Sequence, residues 1–400
     1  MKADRPTSTS AFRACSPEET FARVSPHLSR LGITRVASQT GLDNVGLPVW
    51  CAYAPNAKAI VIAQGKGLTD AEARTSAVME AIERAVATEP ACEKVLTCKS
   101  ALKRGKARFD TVDSLLSSAQ PPLGEEEETE WVEAVDLIHG DPVWLPFDAI
   151  WFDRTVPRPR YWRSSDGLAS GNLRHEARLH GLLERVERDA LTLWSIEPAR
   201  SRFGRRIRPD GAGLLGGARD MLDHIERAGL ELALFDITTD LGIASIAALL
   251  KPRQTQFLRP LRYVDLTLGA GASLDPVVAA ARAISEAVQS RMTFIGGARD
   301  DLLPEIFARP ADQSSLQAFD AAPVVNCEDL PRLEARSSAD GLSLLIEQLR
   351  RSNIRKLYAV DLQPAWLPVN VVKVIAPELE NPEGDRRQSL GSRAISRSLR

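Results

Sequence analysis

Hydrophobic residues recur along this chain with two different periods, and the period predicts the secondary structure. Short runs rich in Val, Ile and aromatic residues, bounded by Gly, Pro or Asn, are typical of strands. Such runs lie at 45–54, 59–63, 131–137, 143–147, 231–237, 243–250, 261–268, 357–360 and 369–375. Apolar residues at helical spacing predict helices at 69–88, 173–194, 275–291 and 341–352. This alternation predicts a mixed α/β (α+β) fold, with long helices packed on mixed sheets.

The polar stretches between these elements predict how the chain is divided. We expect an N-terminal segment at 1–30, a main domain at 31–380 and a mobile tail, rich in Arg and Ser, at 381–400. Within the main domain, the stretch 114–130 contains two adjacent prolines and four consecutive glutamates. That composition is typical of a solvated connector, and it marks a candidate subdomain break.

Composition and charge narrow the class of protein. The chain has 400 residues, 44% of them hydrophobic, and a net charge of -2, so nothing in its overall charge favours nucleic acid or a membrane surface as partner. The basic loop 200–208 and the basic tail could form a nucleic-acid surface, but few aromatic residues are interleaved there, which favours a solvated or partner-binding face. The sequence shows no apolar leader and no run of about 20 apolar residues, so a cytoplasmic protein is expected.

The cysteines do not predict a disulfide framework or a zinc site. Five cysteines are an odd number, and no two form a Cys-x-x-Cys pair. Cys51, in a predicted strand, is interpreted as a core residue in preference to a catalytic nucleophile.

Two of the predicted helices carry the same polar arrangement, Glu-x-x-Glu-Arg. In the first, one side of the helix presents Ser76, Glu80, Glu83 and Arg84. In the second, the corresponding side presents Glu176, His180, Glu184, Glu187 and Arg188. A single copy is usually a solvated helix face. The duplication, with each copy following a glycine-containing loop and lying among Ala and Leu, favours a functional site.

The residue types in these two helices suit a metal and phosphate groups. If the two faces converge, Glu80, Glu83, Glu184 and Glu187 provide oxygen ligands suited to Mg²⁺. Arg84 and Arg188 would offer forked donors to phosphate oxygens. A third predicted helix offers a further set of polar residues, Glu286, Gln289 and Arg291.

A Walker A phosphate-binding loop is excluded by the spacing of its glycines. That loop needs Gly, four residues, and then Gly-Lys-Ser/Thr, whereas Ile60 stands at the first glycine and Gly67 at the hydroxyl position. We interpret Gly65 and Gly67 as residues that allow a sharp strand-to-helix turn. Lys66 stays a candidate contact to phosphate or substrate.

These motifs together resemble the YcaO family. The resemblance rests on Gln64-Gly65-Lys66-Gly67, the two Glu-x-x-Glu-Arg helices and Glu286-Ala-Val-Gln289-Ser-Arg291, in order over about residues 30–380. It implies an ATP-binding catalytic domain without a P-loop, with an internal pseudo-repeat and glutamate-held Mg²⁺. It implies nucleotide contacts from Ser76, Glu80, Glu83, Arg84, Asn172, Glu176, Glu184, Glu187, Arg188, Arg291, Lys66 and Arg13. Among these, Glu187, Arg188 and Arg291 are the expected catalytic residues.

The resemblance also implies a reaction, in which a peptide amide oxygen is phosphorylated before a nucleophile replaces it. The chain ends without the proline-rich tail of many azoline-forming members. It looks more like members that act beside a TfuA protein, which are associated with peptide thioamides and would need a sulfur donor and a peptide or protein substrate. An azoline-forming cyclodehydratase and a non-catalytic accessory factor for methylthiolation of a ribosomal protein stay open as alternatives. A homodimer is expected from the family.

Overall fold

In the computed structural model, residues 12–209, 217–253, 260–297, 299, 301–381 and 390–399 are described. Their α-helices are α1 (Pro17–Val24), α2 (Asp70–Thr88), α3 (Lys99–Arg104), α4 (Arg174–Ser195), α5 (Ala199–Arg202), α6 (Gly217–Arg227), α7 (Pro276–Gly296), α8 (Gln313–Leu316), α9 (Ser338–Arg351) and α10 (Ser392–Ser398). The strands are β1 (Arg35–Ser38), β2 (Val49–Tyr53), β3 (Ile62–Lys66), β4 (Lys94–Thr97), β5 (Thr129–Asp136), β6 (Pro142–Pro146), β7 (Leu168–Gly171), β8 (Leu230–Asp236), β9 (Ala244–Pro252), β10 (Thr267–Ser273), β11 (Tyr358–Asp361) and β12 (Asn370–Ile375).

The strands form three sheets. One has the order β1-β2-β3, the second β10-β9-β8, and the third β4-β5-β11-β12-β7 with β6 paired to β5. All pairs between these strands are antiparallel; among the described residues, parallel pairing occurs only at isolated bridges such as Phe109 with Trp144. The predicted hairpin of β5 and β6 is confirmed, and β4 and β5, which flank the 114–130 stretch, pair within one sheet.

Three strand-then-helix units position the long helices. β3 leads into α2, β7 into α4 and β10 into α7, and each helix packs on the strand before it. The helix starts have different caps: the Thr69 hydroxyl accepts from Glu72 N at 3.2 Å, and Asp275 accepts from Val277 N at 2.8 Å, with Pro276 following it. The sequence predicted a pseudo-repeat of two helices, α2 and α4. In the structure, β10 and α7 form a third strand-then-helix unit of the same kind.

Glycines let these helices lie against their strands. A Cβ added at Gly65 would overlap the backbone of Ala73 and Ala77 in α2. On β10, a Cβ at Gly269 would overlap the backbone of α7 in the same way. The glycine of β3 therefore serves close packing of strand and helix, where we had predicted a sharp turn.

The substitution Gly65→Ala tests this packing. Because the new methyl group has no space against α2, we expect an overpacking cost of about 1–3 kcal/mol in the free energy of unfolding. Gly105→Ala is the matched control, since its added Cβ would meet no atom closer than 3.5 Å, and we expect it to change stability by less than about 1 kcal/mol. Urea denaturation of both variants measures the difference, and equal stabilities would contradict the packing role.

Several predicted elements differ from the structure: β3 spans Ile62–Lys66 where a strand was expected at 59–63, and α7 ends at Gly296 where its end was expected at 291. In addition, a strand was expected at 261–268, but the structure has β10 at Thr267–Ser273, a stretch of mostly Gly, Ala and Ser. The tail was expected to be mobile from residue 381; its residues 382–389 lie outside the described part, whereas α10 packs against α4. Arg393 of α10 binds Asp189 at 2.9 Å. Among the described residues, none of the helices combines the length and apolar character needed to cross a membrane.

Candidate active site

The three helices α2, α4 and α7 face a common cleft with a volume of about 840 Å³. That size is typical of small-molecule sites. From these helices the cleft is lined by Ser76, Glu80, Glu83, Arg84, His180, Glu184, Glu187, Arg188, Arg282, Glu286 and Gln289. The N-terminal segment contributes Arg13, Ser16 and their neighbours, and the end of β3 contributes Lys66. The two Glu-x-x-Glu-Arg segments, far apart in sequence, thus meet at one site.

The negative charges of Glu83 and Glu184 are not fully neutralised by other groups of the protein. Glu83 accepts a hydrogen bond from the Ser170 hydroxyl at 2.6 Å, yet burial, together with the charges of Glu80 and Glu184, raises its pKa to about 8. Burial also raises the pKa of Glu184 to about 7, against the lowering effect of Arg188. A divalent cation placed between such groups would relieve their repulsion.

The other two predicted metal ligands have partners in the protein. Glu80 accepts from Gln64 N at 3.0 Å and pairs with Arg84. Glu187 accepts from Ala272 N at 3.2 Å and lies 3.4 Å from Arg188. In the part of the chain that the structure describes, no three His, Cys, Asp or Glu side chains come close enough to hold a metal by themselves.

Arg188 lies at the centre of the charged groups. Its guanidinium is 3.4 to 3.9 Å from four carboxylates, those of Asp166, Glu184, Glu187 and Glu286. Burial opposes its charge, but these carboxylates outweigh burial and raise the pKa of Arg188 above its ordinary value. The side chain therefore stays charged and is held in one place, as a phosphate-binding arginine requires.

Lys66 is brought into the site by an ion pair with Glu286 of α7. The side-chain amide of Gln289, one turn further along α7, donates to the Gln64 carbonyl at 2.7 Å. These contacts tie β3 to α7 beside the cleft. Lys66 thus lines the cleft, and its contact with phosphate or substrate stays a prediction.

The N-terminal segment crosses the cleft next to α4. Arg13 donates to the Ser170 carbonyl at 3.4 Å, and Arg23 donates to the Asn172 side chain at 3.0 Å. Burial lowers the pKa of Arg13, against the charges of Glu176 and Glu83. Arg13 and Asn172, both predicted nucleotide contacts, therefore lie at the same edge of the site.

Glu176 has a different position from the one predicted. It is 3% exposed, and its two oxygens accept from the backbone N–H groups of Ala14, Asn172 and Leu173. A carboxylate that satisfies the free N–H groups at a helix start stabilises that helix. In this structure Glu176 fastens the N-terminal segment and the start of α4, and it does not line the cleft.

Arg291 is the predicted catalytic residue that the structure places elsewhere. Its guanidinium binds Asp43 at 3.0 Å and does not line the cleft. In a helix with 3.6 residues per turn, Arg291 points about 140° away from Glu286. Arg282, one turn before Glu286, lines the cleft instead and lies 3.8 Å from Glu187. The i, i+4 spacing of Arg282 and Glu286 was the signal that the sequence analysis missed.

Two further features of Arg282 and its surroundings suit an anionic ligand. The Nε atom of Arg282 is buried and makes no hydrogen bond to the described residues. One of its terminal nitrogens lies 3.4 Å from His180 Nδ1, and burial, followed by the charges of Arg282, Arg13 and Lys66, lowers the pKa of His180 well below its usual value. Because the imidazole of His180 is neutral, the positive charge around it comes from Arg282, Arg13 and Lys66.

Cys51 lies in the core, as the sequence analysis predicted. Cys51 is fully buried in β2 and Cys327 is also buried, while the other three are partly exposed. Burial raises the pKa of the Cys51 thiol, and a thiol with a raised pKa is a poor nucleophile. The interpretation of Cys51 as a core residue is confirmed.

The raised pKa of Glu83 predicts how stability depends on pH. Between pH 4.5, its ordinary pKa, and about 8, folded Glu83 keeps a proton that the unfolded chain releases. The free energy of unfolding should therefore decrease as pH rises through this window. We expect Glu83→Gln to lose less stability than the wild type between about pH 5.5 and about pH 8.5, measured by urea denaturation. Glu133→Gln, which removes an exposed carboxylate, is the control, and identical pH profiles for wild type and Glu83→Gln would contradict the prediction.

Comparisons with known proteins show the family to which the chain belongs. Residues 64–380 match the profile of the family described as YcaO cyclodehydratase, ATP- and Mg²⁺-binding. A protein from the tfuA 3′ region of Rhizobium leguminosarum bv. trifolii is 35% identical over 96% of this chain and 92% of its own length. A protein from Methanothermobacter thermautotrophicus is 33% identical over 92% of this chain and 95% of its own.

Solved structures share the fold. YcaO from Methanopyrus kandleri, bound with AMPPCP and Mg²⁺, superposes with a TM-score of 0.72 at 24% identity and covers 92% of both chains. A heterocyclase in complex with substrate and cofactor superposes with a TM-score of 0.75 at 20% identity, over 94% of this chain and 54% of that one. The family match spans most of the chain and both curated relatives align nearly end to end, so this protein belongs to the YcaO family.

Proposed function

We propose that this protein is a Mg²⁺- and ATP-dependent enzyme that phosphorylates a backbone amide oxygen of a peptide or protein substrate. The observation that carries the proposal is the convergence of Glu83, Glu184 and Arg188 on one cleft from two helices about one hundred residues apart in sequence. Uncompensated carboxylates beside fixed arginines suit a metal-bound triphosphate. The match to an ATP- and Mg²⁺-binding family supports it further.

The residues of the cleft have separate tasks in this proposal. Glu83 and Glu184 would hold Mg²⁺ together with phosphate oxygens and water, whereas Glu80 and Glu187, the other two predicted ligands, keep their partners in the protein. The ion would supply charge neutralisation at the phosphates. Arg188 and Arg282 would bind phosphate oxygens, Arg282 taking the place that the sequence analysis gave to Arg291. Lys66 and Arg13 also line the cleft and would orient the nucleotide. Positioning and charge neutralisation provide most of the rate enhancement in phosphoryl transfer.

The proposed reaction has two steps, a phosphorylation and a replacement of the amide oxygen. The amide oxygen attacks the γ-phosphorus of ATP, the bond from that phosphorus to the bridging oxygen breaks, and ADP leaves. A nucleophile then adds to the activated amide carbon, and phosphate departs with the former amide oxygen. The carbon–oxygen bond of the amide is too strong to break without this activation, which explains the need for ATP.

For the nucleophile we propose an external sulfide, delivered with a TfuA-like partner, so that the product is a thioamide. Support comes from the relative found in a tfuA 3′ region. The second candidate is an azoline-forming cyclodehydratase, which the description of the matched family favours.

The experiment combines the purified protein with Mg²⁺, ATP, sulfide, a TfuA-like protein and a candidate peptide, followed by mass spectrometry. Exchange of oxygen for sulfur supports thioamidation, whereas loss of water supports azoline formation. No peptide-dependent ATP turnover under any combination would favour a non-catalytic accessory factor. Sedimentation of the same sample tests the expected homodimer.

A further inference from the structure

A second cavity adjoins the nucleotide cleft and has no assigned role. Its volume is about 400 Å³, and Ile60 and Arg84 line both cavities. We call it the alanine groove, after the wall residues Ala52, Ala54, Ala63, Ala81 and Ala85. These alanines come from β2, β3, α2 and the turn between the strands, so the groove lies between the first sheet and the flank of α2.

The groove has a buried floor and an exposed mouth. Ala52, Ala63 and Ala81 are at most 4% exposed and form the floor. Arg30, Lys58 and Glu89 are exposed and form the mouth. The shared residues Ile60 and Arg84 mark the inner end, where the groove meets the cleft. A molecule that enters at the mouth would therefore reach the nucleotide beside Arg84.

The chemistry of the walls differs from that of the cleft. The cleft is dominated by carboxylates and arginines, whereas methyl groups form most of the groove wall. At the mouth, Lys58 and Glu89 neutralise each other through an ion pair of 2.9 Å, and the Arg30 guanidinium lies 3.9 Å above the Trp366 ring. Arg84 is paired with Glu80 of the cleft, so the charge that remains at the mouth is that of Arg30, which disfavours basic side chains there.

We propose that the alanine groove binds the segment of the peptide substrate adjoining the amide that is phosphorylated. This rests on the proposed function, because a peptide amide must reach the phosphate end of the nucleotide while its neighbouring residues lie outside the charged cleft. Walls made of alanine methyl groups let an extended backbone approach closely and leave room for small apolar side chains. The preferred segment is therefore extended, small and uncharged near Arg84, with a carboxylate tolerated near Arg30.

Arg84 lies at the junction and would control the approach of the amide. Its guanidinium donates to the Ile62 carbonyl at 2.5 Å and pairs with Glu80. These contacts hold the side chain across the boundary between the two cavities. A peptide amide oxygen that reaches Arg84 would meet a fixed positive group on the side facing the cleft.

The test fills the groove without touching the cleft. Ala85 is half-buried on the groove wall and is not a lining residue of the cleft, so Ala85→Trp should block the groove and leave the core intact. Ala339→Trp, on the exposed side of α9, is the matched control, and Ala85→Ser tests whether volume is the cause. The probe is a library of short synthetic peptides of random sequence with blocked ends, captured on immobilised full-length protein in the presence of Mg²⁺ and AMPPCP.

We expect Ala85→Trp to capture peptides about tenfold less than the wild type. Ala85→Ser and Ala339→Trp should capture them normally, and all four proteins should have the same melting temperature and affinity for AMPPCP. Enriched peptides should be small and uncharged over part of their length.

Other outcomes overturn the groove assignment. Undiminished capture by Ala85→Trp, or no capture by a wild type that binds AMPPCP, contradicts peptide binding in the groove and leaves the proposed function standing. Loss of AMPPCP binding in Ala85→Trp would assign the groove to the nucleotide. A wild type that binds no AMPPCP with Mg²⁺ would overturn the proposed function, which distinguishes the two failures.

Discussion

Arg188→Lys should lower ATP turnover by about 100-fold or more while leaving the protein folded. The guanidinium of Arg188 lies 3.4 to 3.9 Å from four carboxylates on three different parts of the chain. Lysine keeps the positive charge, so the buried carboxylates stay compensated. It has a single point of charge in place of the planar fork, however, and cannot bind two phosphate oxygens and these acids in the same geometry.

A matched control for this variant lies on the same helix. Arg174 at the start of α4 pairs with Asp361 at 3.2 Å, and its side chain is 59% exposed. Arg174→Lys should keep ATP turnover within about twofold of the wild type, because surface ion pairs contribute little. The two measurements are kcat/KM for Mg²⁺-ATP and the melting temperature. Full activity of Arg188→Lys would remove Arg188 from the catalytic residues.

The starts of the helices that build the site were predicted to within one residue because their signals are local. Thr69 before α2 and Asp275 with Pro276 before α7 are capping residues, and apolar residues at helical spacing follow both. The convergence of α2 and α4 was inferred from the repeated Glu-x-x-Glu-Arg text. Whether the two helices meet at one cleft depends on packing between segments that are distant in sequence. The sequence therefore predicts a shared site only if the two helix faces converge.

The β10 strand was displaced in the prediction because its sequence has few strand-forming residues. Gly269 and Gly271 would be unfavourable in an isolated strand. In the structure they are needed because α7 lies directly against β10, where a side chain would overlap the helix backbone. Tertiary packing therefore outweighs local propensity here, and a strand signal based on Val, Ile and aromatic residues finds the preceding segment instead.

The choice of Arg291 over Arg282 shows how a motif can mislead about a helix face. Both arginines are on α7, and the match to the family text ended at Arg291. Counting turns from Glu286 places Arg282 on the cleft side and Arg291 on the side of Asp43. The spacing of residues along α7 therefore contained the information needed to choose Arg282. The position of Glu176 under the N-terminal segment is different. It could not be derived from helix geometry, because Ala14, whose N–H group it accepts from, is 162 residues away.

The C-terminal helix gives the second large expected effect, a loss of about 3–5 kcal/mol in the free energy of unfolding for Arg393→Met. Asp189 is fully buried, and both of its oxygens accept hydrogen bonds from Arg393, at 2.9 and 3.0 Å. Burial already raises the pKa of Asp189 in spite of Arg393. Without the arginine, Asp189 must either stay charged and unpaired or take up a proton, and both cost stability.

A control for Arg393→Met is available on the same helix. Arg397 pairs with Glu197 and its own side chain is 50% exposed, so Arg397→Met should cost less than about 1 kcal/mol. The double variant Asp189→Asn with Arg393→Met should recover part of the loss, because the asparagine side chain carries no charge. Urea denaturation of the three variants measures these differences. Equal, small losses for Arg393→Met and Arg397→Met would mean that α10 is only loosely attached to α4. The buried carboxylate of Asp189, the residue after Arg188, would then not depend on α10.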